Sequence, residues 1–212
     1  MGGRGASSGG FGGGGISGND IVSTTSLISA RERYESEVDR TLSVLRDVEK
    51  QYGVDVSDVQ LATLKGRGVS ALAYYDNGGN LAVNKSFFNN EKMDKAMDRS
   101  IASGFHPPRG NKSGIEAVAA HEMGHRLTEE AGVRAGLGAW QLDKVSSRII
   151  RDARKESGAK TVSALRKKIS GYATSNNAEA VAEAFADVYC NGKKASKASQ
   201  SVVNALNKYF NK

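Results

Sequence analysis

The stretch IEAVAAHEMGHRLTEE, residues 115–130, carries two patterns at once. Ile115, Val118, Ala119 and Leu127 recur at helical spacing, and between them the chain reads His121-Glu122-Met123-Gly124-His125. Positions four apart share one face of a helix, so His121 and His125 can turn two imidazole nitrogens toward one metal ion. Glu122 sits beside them, where a carboxylate can take a proton from water that zinc has made acidic and pass it to a leaving amine. That division of labour explains the H-E-x-x-H spacing of zinc peptidases. Gly124 is expected to leave space beside the metal.

Two histidines leave a catalytic zinc one protein ligand short, because such sites hold three plus a water. The longer motif with a glycine and a third histidine fails here, since Thr128 and Ala131 occupy those positions. His106, the remaining histidine, precedes Pro107 and Pro108 and reads as a loop residue or a substrate-side contact rather than a ligand. A carboxylate is the other source. The run AEAVAEAFAD, residues 178–187, places Glu179, Glu183 and Asp187 at successive i, i+4 steps of one helix. Three acids on one face repel each other, and a bound cation relieves that repulsion. Val181, Phe185 and the alanines between them mark the helix as largely buried.

Around these two segments, helical periodicity covers 24–52, 90–102, 137–155, 162–169 and 199–210 as well as 115–130 and 178–190, with Gly53 ending the first helix. Leu72 and Tyr74 alternate toward Asp76-Asn77-Gly78-Gly79, and Leu81 and Val83 alternate away from it, which predicts a β-hairpin. Residues 54–68 give no clear pattern. The expected fold is α+β and mostly helical, with a small sheet or hairpin preceding the motif helix.

Ten of the 25 glycines fall within the first nineteen positions, so residues 1–20 are expected to be a Gly/Ser-rich flexible tail and 21–212 a single domain. The tail has no apolar core of the kind a secretory signal needs, and no run approaches the length of a membrane span. With Cys190 as the one cysteine, an intrachain disulfide and a Cys-rich zinc ribbon are excluded. A reducing, cytoplasmic setting is the default expectation. The net charge of +7 gathers at 148–168 and at Lys193, Lys194 and Lys197. That excess could attract nucleic acid, but solvated helix faces account for it without one, because no nucleic-acid-binding signature accompanies it.

Two segments together resemble a known family. HEMGH and SGYATSNNAEAVAEAF, residues 170–185, are similar to the catalytic domain of anthrax lethal factor and its relatives, a branch of the gluzincin metallopeptidases. The resemblance implies that zinc is held by His121, His125 and Glu179, and that Glu183, one turn later, orients a ligand histidine. It also implies that Tyr172 donates its phenol to the oxyanion that develops during peptide hydrolysis. A rival register, as in thermolysin-like gluzincins, takes Glu183 as the ligand with Asp187 behind it, but only the first register also places the tyrosine. The specific match spans about thirty residues, and the hairpin is similar in placement to the strand along which such peptidases lay extended substrates. Departures are clear: Ala180 and Val181 replace bulky aromatics after the ligand, and no receptor-binding or translocation domain of the toxin is recognisable. Toxin-like substrate choice therefore does not follow. The opening MGGRGASSGG also resembles the starts of small prophage-encoded proteins of gut bacteria.

The expectation is thus a zinc endopeptidase acting on a protein or peptide substrate, with Glu122 as general base. The alternative is a phage-associated structural or adaptor protein that keeps a zinc site for folding and contacts DNA or a capsid through its basic surface. A third expectation holds the activity in check by the N-terminal tail lying in the cleft; deleting residues 1–20 then raises the rate.

Overall fold

The computed structural model describes residues 9–10, 14–15, 21–55, 59–65, 71–75, 81–137 and 141–210. The expected turn at 76–79 and most of the glycine-rich tail lie outside them. Within the tail, β1 (Gly9–Gly10) and β2 (Gly14–Gly15) pair as a short antiparallel ladder that lies against β5, the strand Ala73–Tyr75. With β3 (Ile21–Ser26), β4 (Val59–Leu64) and β6 (Leu81–Asn84), β5 makes a mixed four-stranded sheet in the order β3-β4-β6-β5. The predicted hairpin is β5 with β6, antiparallel, with Tyr74 opposite Ala82. β4 and β6 run parallel, so β5 sits outside them as the edge strand.

Two strands of this sheet escaped the sequence reading. The helix expected over 24–52 begins only at Glu35, as α1 (Glu35–Tyr52), and its first part is instead β3 followed by a short 3-10 turn at Ile28–Ala30. Ile21, Val22, Thr24 and Thr25 are β-branched and favour extended backbone, and their hydrogen-bonding partner is β4, which lies in the stretch that gave no pattern. Gly53 does end α1, in the left-handed conformation with φ +65°.

The remaining helices are α2 (Asn90–Ala102), α3 (Gly114–Arg134), α4 (Leu142–Ser157), α5 (Val162–Lys167), α6 (Asn177–Asn191) and α7 (Lys197–Asn207). The fold is α+β with helices dominating. One apolar core runs from Leu27 to Leu206 and joins the inner face of the sheet to the helices. Alternation sorts the strands: Val59, Leu61, Tyr75, Leu81 and Val83 face that core, while Ala62, Leu64, Tyr74 and Ala82 form a smaller cluster on the other face.

The motif helix α3 is the axis of the molecule. It is buried from Gly114 to Gly132 except for the half-buried Glu116, Arg126 and Glu130, which mark its narrow outward face. Ser113 starts it with a capping box, its hydroxyl accepting the Glu116 N–H while the Glu116 carboxylate accepts the Ser113 N–H at 2.9 Å. The sheet and α1 lie on one side, and α6 packs most extensively on the other. Gly124 sets that approach. A Cβ built there would stand 2.6 Å from the Ala182 Cα, so the space expected beside a metal is filled by the backbone of α6. Among the described residues no helix is long and apolar enough to cross a membrane.

Candidate metal centre

Along α3, His121 and His125 fall one turn apart, as their spacing requires, with ring centroids 5.0 Å apart and almost no exposure. Glu179 arrives from the first turn of α6. Asn176 caps that turn, its Oδ1 accepting the Glu179 N–H at 2.9 Å, and so fixes the backbone from which the carboxylate projects. Oε2 of Glu179 lies 3.2 Å from Nε2 of His121 and 3.3 Å from Nε2 of His125.

These separations suit a shared cation. Ligands about 2.1 Å from a tetrahedral metal stand about 3.4 Å from each other. His125 Nε2 and both oxygens of Glu179 are shut off from solvent, so their polar contacts lie within the cluster itself. His121, His125 and Glu179 could therefore hold a metal ion, and all three are buried. Without a metal, burial works against charge on His121, but Glu179 and Glu183 outweigh it and lift the imidazole to about 10. Burial likewise opposes the Glu179 carboxylate, yet His125 and His121 hold it well below its ordinary range.

Glu122 is 1% exposed, and its Oε2 has no hydrogen-bond partner. Burial raises its carboxyl above the ordinary range, against the pull of His121 and His125. It is thus a buried carboxyl directly after His121 in the chain.

Glu183 stands behind His121 instead of beside Glu179. Its Oε1 lies 2.8 Å from His121 Nδ1, and its Oε2 accepts from the Ser170 hydroxyl at 2.6 Å. A carboxylate at Nδ1 turns the other ring nitrogen, Nε2, toward Glu179, the orientation a metal-ligating histidine needs. Burial pushes Glu183 up, but His106 and then His121 overcome it and leave it at about 2, a permanent carboxylate. Asp187 takes no part. It accepts from Asn191 Nδ2 at 2.9 Å and from the Ser196 N–H at 3.0 Å, and so ties α6 to the start of α7. The geometry assembles the register in which Glu179 meets the two histidines, not the one in which Glu183 does.

Tyr172 lies on a 3-10 turn, Tyr172–Thr174, with its ring 5.9 Å from that of His121 and nearly parallel to it. Burial, then the carboxylates of Glu179, Glu122 and Glu183, push its phenol up, so it remains an O–H donor. Its turn is pinned from two sides. Tyr172 N–H donates to Phe105 O at 2.8 Å and Gly171 N–H to Gly104 O at 2.9 Å, while Arg166 Nε donates to Ala173 O at 2.7 Å.

Sequence reasoning missed His106 and Tyr75. His106 lies in the loop between α2 and α3, as expected, but turns inward: it is 4% exposed, with Nδ1 3.0 and 3.1 Å from the two Glu183 oxygens. Its place in the site comes from the pairing of Gly104 and Phe105 with Gly171 and Tyr172, which no local pattern announces. The ring of Tyr75, on the edge strand, stacks 6.4 Å from that of His125, and its hydroxyl donates to Glu129. Comparisons with protein-family models, with curated proteins and with solved structures gave no match.

Proposed function

We propose that the protein is a zinc-dependent endopeptidase of the gluzincin type, with a zincin-like fold similar to that of the lethal factor catalytic domain. One observation carries this reading: two motif histidines converge through Nε2 on the buried Glu179 carboxylate, with a buried Glu122 beside them in the chain. A purely structural ion pair would not need Glu122, a further buried acid, beside it.

Zinc bound by His121, His125 and Glu179 would supply Lewis acidity, sharpening a water as nucleophile and polarising the scissile carbonyl. Glu122 takes the proton of the attacking water and delivers it to the departing amine, and its raised proton affinity suits both halves of that task. The Tyr172 hydroxyl donates to the carbonyl oxygen as charge develops there, which favours the transition state over the bound substrate. Glu183 keeps His121 in the competent tautomer throughout. Tyr75 brings β5, an outer strand of the four-stranded sheet, against His125.

Glu122→Gln separates chemistry from metal binding. Purified wild type should contain about one zinc per chain by elemental mass spectrometry and should cleave an unstructured protein such as casein. The variant should keep its zinc and lose activity by about 10²- to 10⁴-fold. Full activity in a zinc-loaded variant would sink the mechanism. Lys144, Arg148, Arg151 and Lys155 form an exposed basic stripe on α4, which favours the adaptor reading as the second choice. Salt-dependent DNA binding by a wild type without peptidase activity would install it.

A further inference from the structure

The Glu183 carboxylate is better held than orienting one histidine requires. It is fully buried at the end of a flexible side chain, and three groups from three segments meet it: His121 of α3, Ser170 of the turn before Tyr172, and His106 of the loop before α3. His121 bonds one oxygen and Ser170 the other, and these contacts alone leave the carboxylate plane able to rock. Nδ1 of His106 bridges both oxygens, at 3.0 and 3.1 Å, and removes that freedom.

His106 is itself fixed. Its ring meets the rings of Phe105 and Tyr172 edge to face, with centroids 4.9 and 5.4 Å apart. The two backbone bonds from Gly171 and Tyr172 to Gly104 and Phe105 clamp its loop to the Tyr172 turn. Gly171 permits the clamp, since a Cβ there would stand 3.1 Å from Gly104 O. Two components of the proposed machinery, the His121 ligand through Glu183 and the Tyr172 donor through its ring, therefore lean on one residue fifteen positions ahead of the motif.

We infer that His106 is a positioning residue of the metal centre, the outer member of a His106–Glu183–His121 array whose Nδ1–H sets the metal affinity of the site. The inference rests on the metal-site reading above and adds to it a residue that touches neither metal nor substrate. Were His106 only packing, an aromatic ring of similar size would serve as well. Because the carboxylate is sealed from water, a lost donor cannot be replaced by solvent.

The test is zinc affinity, measured by competition with a chromophoric chelator, on variants shown to be folded by circular dichroism and thermal melting without metal. His106→Phe keeps a ring but no donor, and should weaken zinc binding by about 10- to 100-fold. His106→Asn offers an amide N–H near the position of Nδ1–H, and should stay within a few-fold of wild type. In a Glu183→Gln background, His106→Phe should cause little further loss, because its effect passes through Glu183. If His106→Phe does not fold, His106→Leu carries the same comparison, since it too lacks a donor. Wild-type affinity in folded His106→Phe, or an undiminished loss in the Glu183→Gln background, would overturn the array while leaving the metal site standing. A wild type that takes up no zinc would remove both.

Discussion

A single oxygen separates Tyr172 from phenylalanine, and that oxygen is where its proposed role resides. The ring packs against His106, Phe105 and His121, so Tyr172→Phe preserves the contacts and deletes the donor. Zinc content and KM should stay close to wild type while kcat falls by about 10²- to 10³-fold, the usual cost of one donor to an oxyanion. A kcat within threefold of wild type in the zinc-loaded variant would reduce Tyr172 to packing. At this scale the sequence is readable where the chemistry is contiguous. His121, Glu122 and His125 declare themselves because five residues on one helix hold nearly the whole logic of the site. Glu179 and Glu183 are harder, being one turn apart on a second helix. Choosing between them needs the direction each carboxylate takes, toward Nε2 or toward Nδ1, and spacing alone does not hold that direction. His106 was beyond reach, since what brings it to Glu183 is a backbone pairing between segments more than sixty residues apart.

The helices follow the same rule at the scale of elements. α2 could be read to its ends because its apolar residues keep the helical period, whereas α3 runs four residues beyond the expected 130, to Arg134. The parts that went astray, β3 and β4, are strands defined by each other, and six residues of backbone pairing leave only a faint mark in a single chain. Gly124 belongs to this scale too, because it acts on the distance between two helices. Its missing side chain lets α6 lie on α3 closely enough for Glu179 and Glu183 to reach opposite nitrogens of His121. In Gly124→Ala the added Cβ meets backbone at 2.6 Å, which cannot swing aside as a side-chain end would. Urea unfolding should show a loss of about 1–3 kcal/mol, and zinc affinity should fall with it as α6 is displaced. Unchanged stability together with unchanged zinc binding would show that the helices can part without consequence, contrary to the packing.

For the molecule as a whole, the question is how far folding depends on the metal. The core extends from the sheet to α7, and most of it lies away from the centre, so the fold does not hang on zinc as a small zinc finger does. The metal-free site also has an internal remedy, for a charged His121 can offset Glu179 and Glu183. Chelation should therefore leave the helical circular dichroism intact. It should still cost stability, because the buried Glu179 carboxylate loses the cation that would offset its desolvation. Free zinc at a hundred times its dissociation constant adds about 2.7 kcal/mol. In a chain of this size that should raise the melting temperature by about 5 to 10 °C. Glu122→Gln should keep this shift, since Glu122 is not a proposed ligand, and Glu179→Ala should lose most of it. The opposite order, with the shift surviving removal of Glu179 and vanishing with Glu122, would mean that the metal sits elsewhere in the cluster. The hydrolytic roles assigned to the two acids would then have to be exchanged.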